Sequence, residues 1–379
     1  MEKRVLFLIE SLSGGGAEKV LSVIIKHFDY NKYDVTVCPV VDIGVYTEVV
    51  KEYATYYVPI ISFKGNIVSR IWNRIKYKLI YSILPLDWVY KMFIPQGNEI
   101  EVAFCEGFAT KLLAHAKSNS KKIAWIHTDL ENNPWTTEIG VYKNVEEERK
   151  TYSVFDTVVC VSKMVLQSFC KLYGLNEKVI TIYNPIDVDD IRQKAGKKEK
   201  CKDSVVHIIS VGRLVPQKGY DRLLRVIMRL HEEGNPVQLV ILGDGTERNS
   251  LENYIVCNDM ESYASIPGFS NNPYEQIYQS DLFVCSSRAE GFSLVIAEAM
   301  TLGVPVVSTF CMGPNELLQD GKCGMIIENS EEGLYIGLKY ALNNMPKMND
   351  YVEVAQERIN EYSLQTIIKS IELLFTNKK

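Results

Sequence analysis

No window of this 379-residue chain approaches the ~18 uninterrupted apolar residues of a bilayer-spanning helix, so nothing in it is expected to cross a membrane. The apolar run at 5–9 is too short for the hydrophobic region of a signal peptide and reads as a first strand. C-x-x-C pairs are also missing. The nine cysteines, at 38, 105, 160, 170, 201, 257, 285, 311 and 323, are odd in number and scattered, which argues against structural zinc and fits a reducing cytoplasm. Charge of one sign is lacking too: 42 Lys and Arg against 47 Asp and Glu leave a formal charge of -5, so no global positive field points to nucleic acid. What is present is the composition of a globular protein, 46% hydrophobic and 23% charged. The length suits two domains of roughly 150 to 200 residues each.

Short runs rich in Val and Ile, at 5–9, 33–40, 101–104, 122–126, 157–161 and 179–183, alternate with longer amphipathic stretches such as 17–28 and 163–173. This alternation predicts parallel strands joined by crossover helices. The stretch 192–203 carries six basic and two acidic side chains and almost nothing apolar, as a solvated linker does. Alternation then restarts at 205–211, 220–232, 237–242, 248–256, 281–285, 294–302 and 304–307, and helical patterns close the chain at 331–342 and 351–375. The expected fold is α/β, with one doubly wound domain over 1–190 and a second over 205–362. The two would share a cleft at the carboxyl ends of their strands.

Four segments carry candidate chemistry. Gly14-Gly15-Gly16 sits between the first strand and first helix, where backbone amides and the helix dipole can cradle a phosphate, or where the chain simply turns tightly. Lys19 stands where a dinucleotide fingerprint needs a third glycine, and no G-K-[ST] ending follows, so dehydrogenase and P-loop readings both weaken. In the second half, Arg213 and Lys218 lie five residues apart on a strand-end loop and can converge on one diphosphate; either alone is more often a solvated surface cation. Leu242-Gly243-Asp244-Gly245 is another glycine turn, passing a ligand or only turning. Finally, Glu290 follows an apolar strand and Glu298 falls about a turn inside the next helix, flanked by Ile296, Ala297 and Ala299. A buried carboxylate needs hydrogen-bond donors, which a vicinal diol such as a ribose supplies, as do backbone amides or an arginine.

Gly14–Gly16, Arg213, Lys218 and Glu290 spaced seven residues from Glu298 together resemble the retaining glycosyltransferases of family 4, of GT-B fold, which build bacterial capsule, lipopolysaccharide and glycolipid sugars. The likeness covers nearly the whole chain. It implies two Rossmann-like domains facing across a cleft, the first on the acceptor side and the second binding the nucleotide-sugar donor, with helix 363–379 packing back on the first. It also implies that Glu298 bonds the ribose hydroxyls and Glu290 those of the transferred sugar. Arg213 and Lys218 would hold the diphosphate while Gly15 and Gly16 close on it, and Gly243, Gly291, Phe292, Ser293 and Leu294 would complete the donor site. His127, in Trp125-Ile126-His127-Thr128-Asp129 after an apolar strand, would orient acceptor or sugar without acting as nucleophile. Glu106, at a neighbouring strand end, is a candidate for the acceptor pocket or a helix cap.

Asp187-Val188-Asp189 matches a metal-binding D-x-D, but it follows Asn-Pro and precedes a helical pattern, so an acidic helix start explains it better. With no other ligand cluster, no metal or cofactor is expected, and cations must offset the leaving charge. Segment 64–94 holds Lys64, Arg70, Arg74, Lys76, Lys78 and Lys91 against one acid, Asp87, interleaved with Trp72, Tyr77, Tyr81, Trp88, Tyr90 and Phe93. Ile67, Ile71, Ile75 and Leu79 recur every four residues. Such a helix either lies on an anionic membrane surface or packs into the core with its cations solvated. The sequence thus predicts a cytoplasmic, metal-independent hexosyltransferase, peripheral to the inner face of the membrane. It would move sugar from a nucleoside diphosphate, UDP first, to a lipid-linked or polysaccharide acceptor. The alternatives are a nucleotide-sugar epimerase of the same fold and a catalytically silent membrane scaffold.

Overall fold

The computed structural model describes residues 2–62, 66–196 and 204–376, so Lys64 and most of the basic stretch expected as a linker lie outside the described residues. The chain divides into two compact units, Met1–Pro185 with Gln365–Lys379, and Ile186–Leu364.

The first unit is built on a parallel sheet of seven strands: β1 Lys3–Ile9, β2 Tyr33–Pro39, β3 Thr55–Tyr56, β4 Ile100–Ala103, β5 Lys121–Ile126, β6 Thr157–Cys160 and β7 Val179–Thr181. Their order is β3-β2-β1-β4-β5-β6-β7, so the sheet grows outward in both directions from the β1–β4 junction. β1 pairs with β2 on one side, Phe7 opposite Val37, and with β4 on the other, Phe7 opposite Val102. Val5 through Ile9 are all buried, as a strand covered on both faces requires. Leu6 and Leu8 join one core with Val40, Ala124 and Ile126. Phe7 points the other way, into an aromatic cluster with Phe28, Phe104 and Phe375. Phe375 belongs to the helix Leu364–Thr376, which the chain reaches only after completing the second unit; its ring stacks on Phe28 at 5.9 Å and meets Tyr33 edge-on at 5.8 Å.

The second unit has six parallel strands: β8 Val206–Val211, β9 Val237–Leu242, β10 Ala264–Gly268, β11 Leu282–Cys285, β12 Val306–Thr309 and β13 Met325–Ile327, in the order β10-β9-β8-β11-β12-β13. Here the direction of growth reverses between β8 and β11, the crevice where open α/β sheets bind ligands. Both units are Rossmann-like. The helical pattern at 351–375 is not one helix: Met345–Ile359 and Leu364–Thr376 are separate, with Ser363 bridged to Ile186 between them.

Candidate donor and acceptor sites

Two loops meet at the β8–β11 switch point. The first leaves β8 through Gly212 and Arg213, makes a short turn at Pro216–Lys218, and enters the helix Tyr220–Glu232 through Gly219 at φ 68°. Only glycine suits that position, because a Cβ there would lie 2.3 Å from the Ser286 carbonyl oxygen. The second loop, 286–293, is fastened to the first. Arg222 donates to the Ser286 and Ser287 carbonyls at 2.7 and 3.1 Å, Ser286 Oγ to the Lys218 carbonyl at 2.9 Å, and Gln217 Nε2 to the Ala289 carbonyl at 2.7 Å. The Arg288 backbone N–H in turn donates to the Gln217 carbonyl at 2.7 Å.

This fastening brings Lys218 onto Glu290. The ammonium donates to Oε1, which also accepts from Ser287 Oγ at 2.7 Å. Side-chain exposure is 18% for the lysine and 10% for the glutamate, so the pair is largely desolvated. Burial works against the charged ammonium, but Glu290 outweighs it and the Lys218 pKa is raised. The cation expected to wait for diphosphate therefore starts out paired with the carboxylate expected to wait for sugar. Arg213 is exposed beside them, and its charge is felt at Lys218.

Gly291, Phe292 and Ser293 are buried and Leu294 half-buried as the loop enters the helix Leu294–Thr301. The Ser293 hydroxyl is buried, with no hydrogen-bond partner among the described residues. It stands at a helix start whose first amides have no partner within the helix. Glu298, 2% exposed, lies on that helix as its apolar flank predicts. At Gly243 the space on the Cβ side is filled by the Gly212 carbonyl oxygen, 1.8 Å from where a Cβ would stand, so the approach of one strand-end loop to the next requires glycine there.

In the first unit, Gly15 caps the helix Gly16–Lys26, and the Glu18 side chain lies against the glycine turn. A Cβ on Gly15 would lie 2.1 Å from Glu18 Oε2, and Glu18 Oε1 accepts from Ser13 Oγ at 3.1 Å. The helix N-terminus already has a carboxylate beside it. Glu106 is 4% exposed, and its Oε1 accepts the backbone N–H groups of His127 and Thr128 at 2.6 and 2.5 Å, so it braces the turn after β5. Burial pushes its pKa up to about 7, against those backbone bonds. The turn presents His127, whose pKa burial holds down to about 3 against a backbone hydrogen bond with Phe104; the ring is neutral at physiological pH. Its Nε2 is buried without a partner among the described residues.

Asp187 caps the helix Val188–Ala195, its Oδ1 accepting the Asp190 N–H at 3.1 Å, as an acidic helix start should. Among the described residues no three His, Cys, Asp or Glu side chains lie close enough to hold a metal ion, and no helix is long and apolar enough to cross a membrane. The helix Ile67–Ser82 is not a core helix. Only Ile80 is buried, while Ile67, Val68, Ile71, Trp72 and Ile75 are 75, 74, 54, 64 and 47% exposed. Two features escaped the sequence reading: Arg222, and Glu10, whose signal was a lone carboxylate directly after the apolar run 5–9.

Comparison with known proteins divides the chain in the same way. Residues 14–190 match Glycosyltransferase Family 4 and residues 187–358 match Glycosyl transferases group 1. Among curated relatives, an N-acetylgalactosaminyltransferase of Campylobacter jejuni, named for transfer to N-acetylgalactosamine-N,N'-diacetylbacillosaminyl-diphospho-undecaprenol, is 32% identical over 56% of this chain and 57% of its own. The poly(ribitol-phosphate) alpha-N-acetylglucosaminyltransferase of Staphylococcus aureus is 24% identical over 84% of this chain and 64% of its own. The chain thus spans rather less than two thirds of these two relatives. In fold it is similar to Anabaena HepE, solved with UDP and glucose, at a TM-score of 0.76 and 20% identity over 99% of this chain and all of that one.

Proposed function

Since the chain belongs to the family 4 glycosyltransferases of GT-B fold, we propose that it is a retaining, metal-independent enzyme moving a hexose-type sugar from a nucleoside diphosphate, UDP first, to a hydroxyl of a lipid-linked or polysaccharide precursor. The acceptor class is suggested by the activities for which its relatives are named, and UDP by its structural neighbour. The observation that carries the reading is the junction of Arg213, Lys218 and Glu290 at the β8–β11 switch point, beside the unpartnered Ser293 hydroxyl. When donor binds, its diphosphate competes for Lys218. Glu290 is then released to accept from the sugar hydroxyls, while Glu298 accepts from the ribose. The anomeric carbon–oxygen bond breaks with its electron pair going to the diphosphate, where Arg213 and Lys218 stabilise the charge as it develops. The acceptor oxygen attacks from the same face, and its proton passes to the leaving phosphate oxygen. Neutral His127 orients the acceptor or the sugar.

Calorimetric titration with UDP, GDP and ADP sugars tests the donor. Glu298→Gln is expected to weaken UDP binding roughly 10- to 100-fold, the worth of a hydrogen bond to a charged group, and to leave inorganic pyrophosphate unaffected. Equal loss for both ligands, or conversion of donor to a new nucleotide sugar without acceptor, would overturn the assignment.

The helix Ile67–Ser82 supplies the membrane contact: its exposed apolar stripe enters the headgroup region and its cations meet anionic lipid. With about 1 kcal/mol per surface cation, Arg70→Gln with Lys78→Gln should lower cosedimentation with phosphatidylserine vesicles roughly 30-fold and leave UDP binding intact. Unchanged vesicle binding removes the helix from that role.

A further inference from the structure

The first unit contains a cavity of about 580 Å³ lined by Glu10, Ser11, Val41, Ile43, Arg74 and Tyr77. It opens at the carboxyl ends of β1 and β2, the edge where a doubly wound sheet binds ligands, and its outer wall is the helix Ile67–Ser82. Glu10 is held rigidly there. Tyr81 donates to its Oε1, and the Tyr81 ring is stacked between Tyr77 and Phe108 at 4.1 and 3.8 Å. The other oxygen, Oε2, is buried and has no hydrogen-bond partner among the described residues. A buried carboxylate oxygen left this way is costly unless a ligand completes it. Burial, partly offset by the Tyr81 bond, pushes the Glu10 pKa up to about 7.

We propose that this cavity binds a phosphorylated sugar: a ring hydroxyl donates to Glu10 Oε2, the apolar face of the ring lies on Tyr77, and the phosphate meets the exposed Arg74. Glu10, Tyr77 and Arg74 all line the cavity. Hydroxyl to carboxylate and guanidinium to phosphate are the strong, charge-assisted pairings, and an aromatic wall suits the C–H face of a pyranose. Resting on the glycosyltransferase reading, the cavity is the subsite for the phosphate-bearing sugar of the acceptor, and the helix that forms its wall is the one with the exposed apolar stripe.

The test is calorimetry on the full chain with the 1-phosphates of glucose, galactose, N-acetylglucosamine and N-acetylgalactosamine, the four free sugars, inorganic phosphate and UDP. At least one sugar phosphate should bind, more tightly than its free sugar and than phosphate alone, without displacement by UDP. Glu10→Gln should weaken it about 10-fold. Arg74→Ser should erase its advantage over the free sugar. Ile43→Trp, at a half-exposed position, should fill the cavity and abolish binding, with thermal unfolding checking that the fold is kept. UDP should bind all variants as it does the wild type. Absence of binding by all four sugar phosphates, binding indifferent to Glu10→Gln and Ile43→Trp, or competition with UDP would overturn the subsite. Failure of UDP to bind the wild type would instead count against the donor reading, leaving the sugar phosphate result to be judged separately.

Discussion

Replacing Lys218 with methionine lowers sugar transfer by roughly 100- to 1,000-fold, the loss that follows when one preorganised donor is withdrawn from a developing anion. It also destabilises the second unit. Glu290 is only 10% exposed, and without the ammonium it keeps a single side-chain donor, Ser287 Oγ at 2.7 Å. Stranding one member of a buried ion pair costs about 3 kcal/mol. The double variant Lys218→Met with Glu290→Gln should regain most of that stability, because Ser287 can still donate to the amide oxygen and no charge is left alone. Activity should not return with it. Urea unfolding and turnover on one set of proteins separate the two effects. Should the double variant recover turnover as well, the pair is a structural clamp and the leaving group depends on Arg213 alone.

Gly243→Ala gives the second large effect, by a different route. The new methyl would have to occupy a point 1.8 Å from the Gly212 carbonyl oxygen, so one of the two strand-end loops must move. Gly212 accepts no easy shift: its N–H is bonded to the Leu242 carbonyl at 2.9 Å, and the next amide but one, Leu214, to the Asp244 carbonyl at 2.9 Å. A cost of about 3 kcal/mol is expected, with weaker UDP binding because Arg213 is carried on the displaced loop. Asn249→Ala, exposed on the helix Arg248–Cys257 that follows, should change stability by less than about 0.5 kcal/mol. Thermal unfolding with and without UDP measures both; a Gly243→Ala protein as stable as the wild type would mean the loops are free to separate.

Most of the fold was legible because strands covered on both faces carry unbroken apolar runs, such as 5–9 within β1 and 239–242 within β9. β3, β10 and β13 were missed for the complementary reason. All three are sheet edges, two of them only two and three residues long, and β10 contains Pro267, which an edge tolerates. The pattern at 351–375 shows another limit: it reads as continuous, yet a short turn at Asn360–Tyr362 and the Ser363 bridge to Ile186 break it in two. Arg213, Lys218 and Glu290 drew attention as charges on loops that follow strands, and Glu298 as a carboxylate on the apolar helix Leu294–Thr301. Their pairing could not be found. Lys218 and Glu290 are 72 residues apart, and only the adjacency of β8 and β11 joins them. Glu106 stayed open between acceptor pocket and helix cap because a strand-end carboxylate looks the same from sequence whether it faces a ligand or its neighbour's amides.

The ring of Phe375 has a consequence for biogenesis. It fills a place among Phe7, Phe28 and Tyr33, yet it is translated after every residue of the second unit. On the ribosome the amino-terminal half therefore emerges with a greasy socket it cannot close, while the later half can finish on its own. The domain begun first is completed last, and for that interval its unfilled aromatic seat is the surface a chaperone would have to cover.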